Sequence, residues 1–563
     1  MKYIYIIVGL IVVNLLASTY YFRIDLTQEK RFTLAEVTQN YLEKLDSQVF
    51  VRIYLDGELN PGFTRLKRST NELLDEMRAS SRARFMRTTV DPHEMTKSDF
   101  EEFSETLSDY NFAGVPVFET KEDGQKTRTV VYPYAMIQVG SRYTYVNLLE
   151  NIPGLSGEDN LNRSIENLEY KIIDAIHRLT MEVKPRVAFL EGQGELEEID
   201  VVDVVDALSE HFAVDRGAIN GDATILDPYK VLIVAKPTEK FSEADKYVLD
   251  QYMMRGGKIM WLLDAVSMTL DTLRTQSQTI GLYGDYNIED QLFKYGFRIN
   301  PIVIEDMSCA RIPVSVSPEG QKSQIVPMPW RFAPLFSANM RSAITKNISL
   351  VKGDFSSSID TVGLSEGMDI RRMPLLRSSA YTREHRTPVM ATLMTIHDKP
   401  VQTDFNKQHL PVAMLAEGVF KSAFFRRPIP SAVRNAQKHE RLEYSEKTAM
   451  LVVGDGDIIR NDVRFRNSGE PQITPLGYDE MSRQTFGNKD FVVNSVLYLA
   501  DEDGLMDLRN RTFTLRLLDK ATISEGTTHL KVIAIGGPIL FVIIIGSAIY
   551  IYRRREYSKR KSA

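Results

Sequence analysis

The sequence predicts an α/β protein: membrane-anchored extracytoplasmic α/β domains between two terminal transmembrane helices. Three observations carry that expectation. From Leu530 to Tyr552 the chain runs 23 residues with one charge, Lys531, at its edge, enough apolar helix to cross a bilayer core. Tyr3–Phe22 is a second uncharged run, of 20 residues. Between them, short apolar runs of strand type alternate with amphipathic stretches of helical period, the pattern of α/β domains.

The ends set the topology. Six of the nine residues after Tyr552 are basic (Arg553, Arg554, Arg555, Lys559, Arg560, Lys561), and basic flanks mark the cytoplasmic side of a span. Tyr3–Phe22 reads as an anchor that fills a whole span and ends in Tyr20, Tyr21 and Phe22; a secretory signal peptide with Lys2 as its charged start is the other reading. Either way, residues 23–529 fall outside the cytoplasm. An inner-membrane protein with both termini cytoplasmic and its bulk periplasmic is expected.

Taken in order, the domains are a first span (1–22), a small α/β domain (23–150), a connecting amphipathic helix (151–182), a doubly wound α/β domain in two parts (183–300 and 446–515) interrupted by an irregular β-containing insertion (301–445), a linker (516–529), the second span (530–552) and a basic tail (553–563). In the small domain, Thr33 with Glu36 has the spacing of a capping box and opens a helix to Leu45. Strands follow at 49–55 and 83–90, and Asn60-Pro61-Gly62 opens a helix between them. Helix 98–108 and strands at 115–119, 127–132, 134–139 and 143–149 complete an order similar to thioredoxin-like folds, without redox cysteines. Ile165, Leu168, Ile172, Ile173, Ile176 and Leu179 stripe one helix over 161–180. Strands at 186–190, 231–235 and 258–263 then alternate with helices at 197–211 and 242–255, which predicts a parallel sheet covered on both faces. The prolines and short runs of 301–445 break that rhythm. It returns with a strand at 449–453 and a helix at 490–499.

Composition excludes two classes. The net charge is −6, and without Lys2 and the basic tail the remainder carries −12, a poor match for phosphate backbones, so no nucleic acid is expected. Cys309 is the only cysteine, so packing rather than disulfides must hold the body together.

The candidate motifs are partial. Glu191-Gly192-Gln193-Gly194-Glu195 stands where a dinucleotide fingerprint would, but Glu197 replaces the third glycine and four glutamates surround the phosphate position. A tight turn explains its glycines. Lys258 after Gly257 is no Walker loop, because Tyr252 and Ile259 stand where glycine and Ser/Thr are needed. Gly363-Leu364-Ser365-Glu366-Gly367 spells a nucleophile elbow, yet Met368–Leu376 does not read as the helix that must follow. Cys309 reads as a packed small residue, and His177 as a helix-surface residue. Asp455, Asp457 and Asp462 cluster after an apolar strand, where open α/β sheets bind ligands and where carboxylates bind divalent cations. The ligand candidates are therefore Glu191, Gly192, Gly194, Asp455 and Asp457, and the metal candidates Asp455, Asp457 and Asp462. No catalytic residue and no cofactor are assigned.

Several strings taken together resemble one family. RIDLTQEKRFTLAEVTQNYLEKL, VRIYLDGELNPGF, VAFLEGQGEL, GGKIMWLLDA, EDQLFKYGFRIN, VGDGDIIRND and FGNKDFVVNSVLYLADEDGL are similar to the GldG family, the auxiliary, often substrate-binding-labelled component of the gliding-motility ABC transporter of Bacteroidota. Gln193 departs from it, standing where the family string has His. The resemblance implies a non-enzymatic membrane subunit whose partners are an ABC permease, an ABC ATPase and the lipid of the inner membrane, with the transported substrate unspecified. A membrane-tethered hydrolase or amidotransferase-like enzyme on the same scaffold, and a free-standing tether, are the other readings.

Overall fold

The computed structural model describes residues 33–120, 126–315, 325–465, 469–511 and 520–559. The run Tyr3–Phe22 lies outside them. The chain divides into two compact units, one ending at Arg511 and one beginning at Thr512.

The first unit opens with helix α1 (Glu36–Lys44), strand β1 (Val49–Ile53), helix α2 (Pro61–Ser80), strand β2 (Phe85–Thr89) and helix α3 (Lys97–Asp109). A separate hairpin, Val115–Thr120 with Lys126–Val131, precedes β3 (Tyr134–Val139) and β4 (Arg142–Asn147). These strands form a sheet in the order β2-β1-β3-β4, with β1 parallel to β2 and antiparallel to β3. Its helices start where local caps dictate: Asn60 accepts from the Phe63 N–H at 2.9 Å ahead of Pro61, and Thr96 accepts from Asp99. The expected capping box at Thr33 and Glu36 does not form. Helix α1 begins after Ala35 without a side-chain cap, because the Ala35 N–H donates at 2.7 Å to Glu169, 134 positions away. A distant carboxylate does the work expected of a local hydroxyl.

Helix α4 (Gly157–Thr180) starts earlier than its apolar stripe suggests, since Ser156 caps it on the Asp159 N–H. Leu168, Ile172, Ile173 and Ile176 of α4 join Val49, Val51, Ile53, Leu66 and Leu74 in one core, which also takes in Leu505, Met506 and Leu508 from the far end of the chain.

The main sheet has β5 (Arg186–Glu191), α5 (Val202–Ser209), β6 (Ala213–Ala218), β7 (Tyr229–Ala235), α6 (Glu243–Met254), β8 (Lys258–Leu262), α7 (Leu270–Gln276) and α8 (Glu289–Lys294). It continues through β9 (Cys309–Ser315), β10 (Ile325–Ala338), β11 (Asp369–Arg377), β12 (Pro411–Val419), β13 (Thr448–Val453) and α9 (Asn488–Ala500). Its order is β9-β10-β11-β12-β13-β8-β7-β5-β6, with Val351–Lys352 pairing β10 off this path. From β6 to β13 neighbouring strands run parallel; from β13 to β9 they run antiparallel. The stretch 301–445 therefore supplies five strands of the same sheet, Val351–Lys352 among them. Proline hides them from a sequence reading: Pro313, Pro327, Pro329, Pro334, Pro374 and Pro411 lie within these strands, and the pairing shifts register beside Cys309 and beside Pro374.

The parallel strands are apolar on both faces because both are covered. Val231, Ile233, Met260, Leu262, Leu451 and Val453 pack with Val204 and Leu208 of α5 and Phe491, Val492 and Val496 of α9. The alternate residues Leu232, Val234, Ile259, Trp261, Met450 and Val452 pack with Val248, Leu249 and Tyr252 of α6 and Leu292 of α8. The edge strand β6 escapes the sequence reading: only half-buried, it reads AVDRGA with one large apolar side chain.

The second unit holds helix α10 (Lys520–Lys559). Val532–Arg554 within it spans 23 residues at a mean hydropathy of 2.6 with none of the apolar stretch buried, which suggests membrane association. Pro538 sits inside this helix.

Candidate functional site

Three adjacent parallel strands each end in a charged residue, and the ends converge. Lys236 follows β7, Asp264 follows β8 with Leu263 between them, and Asp455 and Asp457 follow β13. Lys236 Nζ lies 2.5 Å from Asp457 Oδ2 and 3.1 Å from Asp264 Oδ2. One carboxylate oxygen from each of Asp264, Asp455 and Asp457 lies within 4.8 Å of the others. Backbone donors hold the carboxylates: Gly456 N–H to Asp264 at 2.5 Å, Asp457 N–H to Asp455 at 2.8 Å and Asp354 N–H to Asp455 at 2.9 Å, with the Ser356 hydroxyl a further donor to Asp455.

The two glycines of the Gly454–Asp457 loop permit this approach. A Cβ on Gly456 would stand 2.6 Å from that of Lys236, and one on Gly454 would stand 2.3 Å from the Ser357 carbonyl oxygen. Lys236 itself holds a φ of +52°, a strained conformation for a lysine.

Burial opposes the Lys236 ammonium, but Asp264 and Asp457 overturn it and hold its pKa above the ordinary lysine value. Burial raises the Asp264 carboxyl despite Lys236, and raises Asp455 with help from the charges of Asp264 and Asp457. Asp264 and Asp455 thus favour keeping a proton in this buried setting. Asp264, Asp455 and Asp457 have oxygens close enough to hold a divalent cation, but the chain already places its own cation against two of them. Asp462 is not part of the group. It opens a separate short strand, Asp462–Phe465, and pairs with Arg464 at 3.0 Å.

Beside the cluster lies a cleft of about 580 Å³, which Asp457 borders together with Lys352, Asp354, Arg460, Asp462, Arg464, Arg311 and Tyr478. Arg460 ties its rim to Asp200 at 3.1 Å and to Asp271 at 3.5 Å. The lining carries both signs of charge and several apolar side chains, so the cleft suits a ligand or segment with polar groups of both signs rather than a purely anionic one.

Glu191, Gly192 and Gly194 belong elsewhere. Strand order reverses between β5 and β7, where a nucleotide would enter an open α/β sheet. Here the protein fills that crevice with its own backbone. The Gln193 carbonyl accepts from the Thr238 and Glu239 N–H groups, each at 2.8 Å, and a Cβ on Gly194 would meet the Thr238 hydroxyl at 2.1 Å. Gly192 and Gly194 hold φ values of +111° and +69°, so this is the tight turn its glycines suggest, and Glu191 pairs with Arg216 at 2.8 Å. The Ser365 string lacks its elbow context: it lies between two strands, Ile359–Thr361 and β11, and its carbonyl accepts from Met368. Cys309 sits half-buried in β9, and burial pushes its thiol up to about 11.

Sequence reasoning finds Asp455 and Asp457 but misses Lys236 and the joining of Asp264 to them. The available signal is the charged residue that ends each of three apolar runs: Ala235-Lys236, Leu263-Asp264 and Gly454-Asp455.

Residues 184–495, which hold this sheet and its site, match the ABC transporter auxiliary family described as an ABC-type uncharacterized transport system. The chain belongs to that family. Membership supports an accessory role in ABC transport, and with it association with other components of an ABC transporter. Residues 28–138 match a domain of unknown function (DUF7088). No curated protein matches the chain. A solved structure titled mmIFT52 N-terminal domain aligns at 14% identity over 56% of this chain and 98% of that one, with a TM-score of 0.30, too low to argue from.

Proposed function

We propose that the chain is the non-enzymatic auxiliary subunit of a gliding-motility-type ABC transporter of the GldG kind, as found in Bacteroidota. Its body sits outside the cytoplasm, docks on a separate permease and works with a separate ATPase. Two terminal spans anchor it in the inner membrane, with both termini cytoplasmic. The single observation that carries the reading is the family match over residues 184–495; the strings shared with GldG across most of the chain supply the finer part. The apolar helix Val532–Arg554 supports an anchored protein.

On this reading the cleft at the carboxyl ends of β8 and β13 is where the body meets its transported ligand or a partner segment. Asp457 is the candidate residue that reaches it from the buried cluster, and Asp462 lines it from another strand. Asp455 acts from behind, by positioning the Asp457 N–H. The enzyme alternative loses support with the setting of Ser365, between strands and without a following helix.

The test is affinity purification of the full-length protein from membranes in mild detergent, with mass spectrometry of what accompanies it. Recovery of an ABC ATPase and a multi-span permease in near-equal amounts is expected. Recovery of the chain alone, under conditions that keep a control ABC complex intact, would overturn the proposal.

A further inference from the structure

The two ends of the large unit meet. Arg511 Nη2 donates at 2.8 Å to the carbonyl oxygen of Thr33, 478 positions earlier. Both ends are held by Glu169 of α4, a carboxylate only 6% exposed. One of its oxygens accepts from the Ala35 N–H at 2.7 Å and the other from Arg511 Nη1. Lys346, 1% exposed, donates to the Arg511 carbonyl at 2.5 Å. Arg509, 9% exposed, donates to the Lys346 carbonyl at 3.0 Å and to Asn494 at 2.8 Å, with its guanidinium over the Tyr170 ring. Domain ends fray unless tied down, and burying charged groups is expensive unless they are paired. Here three buried charged side chains fix the entry and the exit of the chain at one place.

Each end continues toward an apolar stretch. Ten residues lie between Phe22, the end of the uncharged run, and Thr33, and the span Val532–Arg554 follows Arg511. From Phe22 to Thr33 a fully extended chain reaches at most about 40 Å, whereas a compact unit of this length has a diameter on the order of 60 Å. A body leashed at this point cannot turn its opposite side to the bilayer.

We propose that the pole formed by Thr33, Ala35, Glu169 and Arg511 is the membrane-facing pole of the body, and that the Glu169–Arg511 clasp holds the entry and exit of the chain together there. The partner surface is a lipid bilayer. This rests on the two-span reading of the proposed function.

The experiment places single cysteines, in a Cys309→Ala background, at the exposed pole positions Glu36 and Asn510 and at Glu480 on the cleft rim. Full-length protein is labelled with a fluorophore and reconstituted into vesicles of phosphatidylethanolamine and phosphatidylglycerol carrying headgroup quenchers. Severalfold stronger quenching at 36 and 510 than at 480 is expected. Quenching at 480 with none at the pole, in protein that resists alkaline carbonate extraction, would overturn the pole and leave the membrane reading standing. No quenching anywhere, with the protein released by carbonate, would overturn both. The clasp has its own readout. A flexible bismaleimide should join cysteines at 36 and 510 in wild type, with the yield falling severalfold in Glu169→Ala while far-UV circular dichroism is retained. An unchanged yield in that variant would refute the clasp.

Discussion

Replacing Lys236 with methionine removes the cation that bridges the buried Asp264–Asp457 pair and leaves Asp457 only the more distant Arg460, at 3.8 Å, while keeping the length of the stem. Three carboxylates then face one another with oxygens within 4.8 Å. At an effective dielectric of about 20, each ionised pair at that distance repels by roughly 3.5 kcal/mol. Breaking a buried ion pair from one side costs about 3–5 kcal/mol, and that is the loss expected at pH 8. The pH dependence follows from the direction of the shifts. In wild type, the raised pKa of Lys236 contributes stability that is complete below the ordinary lysine value and is lost as pH rises through the folded-state value. The raised Asp264 and Asp455 values contribute stability that is complete below the ordinary carboxylate value and is lost as pH rises through their folded-state values. Without Lys236 the carboxylates rise further, so the deficit must grow with pH and shrink toward pH 4. Urea unfolding of the full-length protein in detergent reads this directly, because Trp261 of β8, buried and three residues before Asp264, reports on this part of the sheet. Millimolar Mn²⁺ or Ca²⁺ should restore part of the loss in the variant and leave wild type unchanged. A variant as stable as wild type at pH 8, or a deficit equal at pH 5 and pH 8, would refute the assignment of Lys236 as the built-in cation.

Other consequences are equally specific. Buried Asp250 accepts from Ser422, the Ala423 N–H, Tyr295 and Gln251, so Asp250→Ala should cost about 3 kcal/mol and expose the 420–445 segment to limited proteolysis. Burial raises the Asp250 pKa, so its contribution is complete below the ordinary Asp value and declines as pH rises through the folded-state value; Asp250→Asn should flatten that decline in urea midpoints. Burial opposes the Glu305 charge, but His385, Arg331 and Arg383 prevail and lower its pKa to about 2. Its stabilisation is therefore present above the ordinary Glu value and lost as pH falls toward 2, an acid limb that Glu305→Gln should lack while costing about 2–4 kcal/mol at pH 7. Cys309, with its thiol pushed up to about 11, should react with iodoacetamide at pH 7.5 on the order of a hundredfold more slowly than a free cysteine, with denaturation restoring the rate.

What the sequence discloses depends on how local the cause is. Asn60-Pro61 and Ser242 announce helices because each cap bonds a backbone group three residues on. The parallel strands announce themselves because burial on both faces demands unbroken apolar runs such as VLIV and LVV. Thr33 misleads because the helix start it seems to mark is settled by Glu169 across the domain. The strands around Pro329, Pro334, Pro374 and Pro411 are illegible because proline argues against a central strand, and only their antiparallel partners and register shifts reveal how they are accommodated. The site divides in the same way. Asp455 and Asp457 stand out as a carboxylate-rich loop, whereas Lys236 and Asp264 are single charges ending separate strands, and only the β7-β8-β13 order brings them together.

A body that serves an ABC permease must touch it in intact membranes, and cross-linking there reads that contact. A photo-reactive amino acid placed at Tyr478 or Arg464 on the cleft rim, followed by quantitative mass spectrometry of the adducts, should yield cross-links to the extracytoplasmic loops of a multi-span permease encoded with an ABC ATPase. Cross-links confined to the chain itself or to unrelated envelope proteins, with full-length protein present in the membrane, would contradict it.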